Sequence, residues 1–357
     1  MLGGIAMKQL CFETNSKYEV IICDTLFDLL SKDAAFIMES ACGSRRVYII
    51  TDSNTAKLHL ETVIKMLSTY HIAACPIVIP AGEEAKSMEG YSKVCSELLS
   101  FGCGRNDCIL NLGGGMVGDL GGFVAATYMR GIRYINMPTT LISMVDSSMG
   151  GKTGIDFNGS KNILGAFHAP SAVLICTDFL KTLPQREFRS GMGEIIKYAA
   201  IDGESVLDGV QSSFSIGEEL IFRCCQIKRE YVCGDEFDNG KRRILNLGHT
   251  FGHAFEAASD FSLSHGEAVG LGLLAVTEFG EKLGITDASV SQKVKKLVKR
   301  FDMATDYQSY ARAAYEHIKH DKKLSGEMLD MVFIKNFGLP IRQNIPISAV
   351  DNFLQDG

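Results

Sequence analysis

Residues 112–119 read Leu112-Gly113-Gly114-Gly115-Met116-Val117-Gly118-Asp119. Gly113, Gly115 and Gly118 satisfy G-x-G-x-x-G, after a strand-like run and before a helical pattern. Such a loop lets backbone N–H groups approach a pyrophosphate at a helix N-terminus. A tight strand-to-helix turn with no ligand is the plainer alternative, and the strand-loop-helix context favours phosphate. The ribose-binding acid expected about 20 residues on is missing, because the chain there reads Gly131-Ile132-Arg133-Tyr134. Asp52, at the end of the second strand, is the available substitute. Further on, Asp146-Ser147-Ser148-Met149-Gly150-Gly151-Lys152-Thr153 sets a cation after a glycine pair and beside hydroxyls, suited to an anionic group. Solvated surface lysines are the alternative reading of Lys152 and Lys161, and composition alone favours it.

A second concentration lies in Leu245-Asn246-Leu247-Gly248-His249-Thr250-Phe251-Gly252-His253-Ala254-Phe255-Glu256. His249 and His253 fall at i and i+4 on one helical face, a geometry that chelates transition metals. Thr250 stands where the zinc proteases need Glu, so that mechanism does not apply. His265 follows 16 residues after His249, and the chain has only 8 His. Spacing leaves open which two of the three bind a metal. Glu194, in the apolar helical run Gly193-Glu194-Ile195-Ile196-Lys197-Tyr198, needs a partner and suits a third ligand. A surface-facing Glu is the alternative there.

These groups need a scaffold. A chain of 357 residues suggests two domains. Lys plus Arg number 36 against 42 Asp plus Glu, a net charge of −6 that disfavours a chain-wide polyanion-binding surface. No apolar run approaches the ~18 residues of a membrane helix, and the N-terminus lacks a secretory layout. The 11 scattered Cys read as reduced thiols in a cytoplasmic protein. Strand patterns at 18–23, 46–51, 76–80, 107–112 and 172–176 alternate with helical ones at 26–41, 55–70 and 88–101, arguing a helix-covered parallel sheet. Pro138 suits a helix N1 position, with Thr139 and Thr140 on the first turn. No Pro occurs in 185–339, and helices are expected at 186–201, 218–232, 242–258, 267–283 and 290–301. The expected architecture is an α/β Rossmann-like dinucleotide-binding domain over 1–180 and an all-α metal- and substrate-binding domain over 181–357. A dinucleotide in one and a metal in the other is the layout of a metal-assisted alcohol oxidation.

These residues together resemble the 3-dehydroquinate synthase family of sugar phosphate cyclases, over almost the whole chain. The most specific parts are Arg130 through Thr140, Asp146 through Lys152, Lys161-Asn162-Ile163-Leu164-Gly165-Ala166-Phe167, Gly193 through Tyr198, and Leu245 through His253. The resemblance implies a homodimeric enzyme, dependent on NAD and a divalent metal (zinc or cobalt), with no nucleic-acid or membrane partner. It implies conversion of 3-deoxy-D-arabino-heptulosonate 7-phosphate to 3-dehydroquinate and phosphate. By the same resemblance, Glu194, His249 and His265 match the metal ligands. Asp52, Asn54, Glu83, Lys86, Gly115, Met116, Val117, Gly118, Asp119, Thr139, Thr140, Lys152, Lys161, Phe179, Leu180, Lys181 and Thr182 match NAD positions. Asp146, Lys152, Asn162, Lys197, Lys228, Arg242, Asn246 and His253 match substrate positions. Arg130 matches a residue reaching across the dimer, and Lys322 completes the carboxylate site. Asp156 and Asp238 stand where the family commonly has Asn and Glu. Two rivals are a glycerol-dehydrogenase-like oxidoreductase, which would release NADH, and a non-enzymatic nucleotide-binding regulator.

Overall fold

A computed structural model describes residues 7–26, 28, 45–203, 205–206, 216–260, 262–319 and 324–355. The helix expected over 26–41 and the Lys322 assignment lie mostly or wholly outside them. The described chain forms two compact units, Met1–Leu183 with Gly217–Phe237, and Pro184–Ile216 with Asp238–Gly357.

The first unit is built on seven strands, β1 (Lys8–Glu13), β2 (Lys17–Cys23), β3 (Arg46–Asp52), β4 (Ala73–Ile79), β5 (Cys108–Gly113), β6 (Arg133–Pro138) and β9 (Ala172–Cys176). Their order is β1-β2-β9-β6-β5-β3-β4, antiparallel at β1/β2 and parallel elsewhere. The central strands are buried on both faces, as their Ile- and Val-rich runs require. Helices Met88–Ser100 and Gly115–Thr127 cover one face through Val94, Leu98, Val117, Leu120 and Val124. Pro76 sits in the edge strand β4, where a missing N–H costs least. A hairpin of β7 (Lys152–Phe157) and β8 (Ser160–Phe167) stands apart from the sheet.

Chain order along the parallel part is β4-β3-β5-β6-β9, so the winding reverses between β3 and β5. Ligands of open parallel sheets bind at the carboxyl ends of the strands at such a reversal. Asp52 ends β3 and Gly113 ends β5, so both sequence candidates stand there.

The second unit is mainly helical, with helices Gln185–Asp202, His249–Ala258, His265–Lys282, Val290–Arg300, Gln308–Ile318 and Ile347–Gln355. It adds a small antiparallel sheet, β10 (Leu324–Ser325), β11 (Met328–Ile334) and β12 (Pro340–Pro346). Glycine seams set the helix spacing. A Cβ on Gly193 would overlap the Gly266 carbonyl oxygen, and one on Gly266 the Ser190 carbonyl oxygen. Gly272 meets Gly248 and Gly252 in the same way.

Three expectations need correction. Pro138 ends β6 and does not start a helix; its residue pairs with Gly113, placing Thr139 and Thr140 in the following turn. The single helix expected over 242–258 is broken by Gly248 at φ 78, a left-handed conformation, into a 3₁₀ segment (Lys241–Asn246) and helix His249–Ala258. Helix Glu218–Val232 matches its expected span but belongs to the first unit, not the second.

Candidate active site

In the first unit the glycine loop leads straight into helix Gly115–Thr127, whose N-cap Gly114 offers no side chain to the first N–H groups. That end carries positive partial charge and unpaired donors. There is no room for larger residues: a Cβ on Gly113 would stand 2.6 Å from Val117, and one on Gly114 3.0 Å from Thr140. Ser147 Oγ is buried without a hydrogen-bond partner and would lie 3.1 Å from a Cβ on Gly115. Thr139 N donates to Gly113 O at 2.9 Å, so the threonine turn is pinned to the loop.

Asp52 caps its own helix, accepting from Asn54 N at 2.9 Å and from the Thr55 hydroxyl at 2.6 Å. Lys86, 4% exposed, meets three carboxylates: Glu83 at 2.6 Å, Asp119 at 3.3 Å and Asp156 at 3.8 Å. Burial opposes its charge, and the acids outweigh burial to raise its pKa. Asp119 is pushed up to about 6, by burial and by Glu83 and Asp156 competing for the one cation. Phe179, Leu180, Lys181 and Thr182 form a 3₁₀ turn after β9. There Thr182 bonds His59 at 2.9 Å, while Lys181 turns away to Asp178 at 2.5 Å.

The Gly150-Gly151 pair takes φ of 89 and 69, which lets the chain turn sharply into β7. Lys152 and Asn162, with Asp119 and Thr153, line a pocket of 330 Å³. Lys161 and Arg130 are exposed. Lys228 is buried and grips Asp146 through Oδ1 and the carbonyl oxygen, both at 2.6 Å.

In the second unit the fully buried Glu194 faces three cationic or metal-ligating groups. Its Oε1 lies 3.4 Å from His249 Nε2 and 3.3 Å from His265 Nε2, and its Oε2 lies 2.6 Å from Lys197 Nζ. Neither oxygen receives a well-aligned hydrogen bond. Burial alone would raise the Glu194 pKa; Lys197 and His249 hold it well below the usual carboxylate range. Burial depresses His249, whereas Glu194 and Glu256 overcome burial and raise His265. His249 Nδ1 faces Leu247 O at 3.1 Å and His265 Nδ1 faces Glu256 Oε2 at 3.3 Å. Both partners are acceptors, which puts a hydrogen on each Nδ1, so that with a metal bound each Nε2 would be free to offer its lone pair to the ion beside Glu194.

These residues fit a metal ion. Donors sharing one ion at about 2.05 Å with tetrahedral angles stand about 3.35 Å apart, which matches both Glu194–histidine separations. His253 is exposed and completes a three-histidine group with ligand atoms within 4.8 Å. Arg242 is buried and Asn246 half-buried on the 3₁₀ segment before the break. Sequence reasoning missed Glu256, although His249, His253 and Glu256 share one face at i, i+4 and i+7. It also missed His59, for which no signal exists.

The 3-dehydroquinate synthase N-terminal family profile matches residues 76–190, and the C-terminal profile of the same family matches 191–324. The chain is 38% identical over 320 residues to a 3-dehydroquinate synthase of Streptococcus sanguinis, covering 87% of this chain and 90% of the relative. Among solved structures, a 2-epi-5-epi-valiolone synthase from Streptomyces hygroscopicus, with NAD⁺ and Zn²⁺ bound, superposes at TM-score 0.83 with 25% identity, covering 96% and 97% of the chains. A 2-deoxy-scyllo-inosose synthase complexed with carbaglucose-6-phosphate, NAD⁺ and Co²⁺ superposes at 0.84 with 20% identity, covering 99% and 100%. No described helix is long and apolar enough to cross a membrane.

Proposed function

The chain belongs to the 3-dehydroquinate synthase family, and from that premise we propose that it converts 3-deoxy-D-arabino-heptulosonate 7-phosphate to 3-dehydroquinate and phosphate. On this reading it is a carbon–oxygen lyase of the shikimate pathway, acting as a cytoplasmic homodimer with NAD and a divalent metal. The observation that carries the reading is the Glu194–His249–His265 triangle, closed on its far side by Lys197.

Glu194, His249 and His265 hold the metal. The NAD positions are those at the winding reversal: the Gly115–Asp119 helix start, Asp52 with Asn54, the Glu83–Lys86 turn, Thr139, Thr140, Lys161 and the Phe179–Thr182 turn. When bound, NAD would supply reversible hydride transfer at C5, and the metal would supply Lewis acidity at the C5 hydroxyl.

The protein's own contribution is charge and position. The substrate carries a carboxylate and a phosphate, and Lys152, Lys197, Lys228 and Arg242 supply fixed cations for them. Asn162, Asn246 and His253 add hydrogen bonds, and Asp146 holds Lys228 in place. Once C5 is a ketone, the C6 proton passes to a phosphate oxygen as the C7–oxygen bond breaks, so no dedicated base is required. Arg130 reaches the partner's site in the dimer, and light scattering checks that state.

Metal-loaded protein incubated with the heptulosonate phosphate and NAD⁺ should release inorganic phosphate without NADH accumulating. Steady NADH growth, as a polyol oxidoreductase gives, or no phosphate at all, sinks the assignment.

A further inference from the structure

We propose that Glu256 is a positioning residue of the metal centre, fixing the His265 ring so that Nε2 points at the place shared with Glu194 and His249. The inference rests on the metal reading above and assigns a residue that reading does not use.

The two histidines are held differently. His249 is sealed in the protein, with its side chain 10% exposed, and its Nδ1 is satisfied within its own turn by Leu247 O. His265 opens its helix and leaves 35% of its side chain exposed, so packing alone does not fix the ring. Its Nδ1 instead meets Glu256 Oε2 at 3.3 Å, delivered from the neighbouring helix His249–Ala258. Glu256 is 7% exposed, an expensive place for a carboxylate unless it holds a donor or offsets a charge.

Two effects follow. A carboxylate only accepts, so it keeps the hydrogen on Nδ1 and leaves Nε2 as a lone pair. The second effect is charge. Lys197 already neutralises Glu194 at 2.6 Å, so a dication would otherwise meet neutral imidazoles and a compensated carboxylate. Glu256 adds the negative charge that this arrangement lacks.

The test uses the full-length chain and Zn²⁺ affinity by chelator competition, with nitrogen NMR of the histidine rings as the second readout. Glu256→Leu should weaken Zn²⁺ about 10–100-fold and release His265 into mixed tautomers, with NAD affinity unchanged. Glu256→Gln, which keeps an acceptor and loses the charge, should fall between Glu256→Leu and wild type, and it carries the test if the leucine variant does not fold. Wild-type affinity and a fixed tautomer in both variants overturn the role of Glu256. Failure of the unaltered protein to bind Zn²⁺, matching His249→Ala, overturns the metal reading itself.

Discussion

Lys197 Nζ stands 2.6 Å from Glu194 Oε2, one turn away on the same helix, with both side chains closed to solvent. A pair this deep is costly to assemble and more costly to break, because the survivor is left as a lone buried charge.

Lys197→Met should therefore destabilise the protein by about 3–5 kcal/mol in urea unfolding of the metal-free chain. Zn²⁺ should recover much of that loss by taking over the carboxylate. A loss no larger than that of the exposed Lys57→Met would refute the pairing.

Metal content separates the three histidines. His249→Ala and His265→Ala should come out of metal analysis empty, whereas His253→Ala should retain its ion and lose turnover. Loss of the ion from His253→Ala as well would exchange the ligand set for the three-histidine group.

Acid titration probes Asp330, which Arg342 contacts at 2.6 Å and Arg243 at 3.0 Å. Burial pushes its pKa up, and the two arginines outweigh burial and hold it below the usual value. A depressed folded-state pKa gives stability that is present above the unfolded value of about 3.9 and fades as pH falls through the folded value. Asp330→Asn should cost about 1 kcal/mol or less at pH 7, the range for ion pairs this open to solvent, and the difference should vanish at the acid end. A gap that persists at low pH would assign it to packing.

Lys86→Met leaves Glu83, Asp119 and Asp156 without their shared cation beside the proposed NAD positions. NAD affinity measured by calorimetry should drop about tenfold or more, ~1.4 kcal/mol. Unchanged affinity would remove Lys86 from the cofactor site.

Gly266→Ala and Gly193→Ala place a methyl group into facing backbone, whereas Gly217→Ala meets nothing within 4 Å. The first two should lose about 3 kcal/mol or more, the upper end for overpacking, together with Zn²⁺ affinity. The third should match wild type; equal stability across all three would contradict the close helix approach.

Local periodicity made the parallel sheet and the long helices legible, because strands buried on both faces and amphipathic helices write their burial directly into residue order. The glycine loop was readable for a similar reason: the turn and the helix start are both local. The break at Gly248 was hidden, since one glycine inside a helical pattern signals neither its φ nor the helix pressed against it. The β7–β8 hairpin was missed because its glycines and polar residues interrupt the apolar alternation that marks a strand. Lys86 and Lys228 illustrate a different limit. Their partners lie 33 and 82 residues away in sequence, at Asp119 and Asp146, and no spacing rule connects them. Spacing alone could not choose among His249, His253 and His265, because Glu194 lies on a different helix far back in the sequence.

Gly217–Phe237 returns to the first unit after the second has begun, and Lys228 on that stretch holds Asp146. The chain therefore crosses between units three times, and no single cut yields two whole pieces. A fragment ending at Leu183 lacks the helix that anchors its own Asp146. During synthesis, too, the first unit waits for some fifty further residues before it can close. Any attempt to trade one half of this enzyme for a relative's must exchange two separate stretches of the gene together.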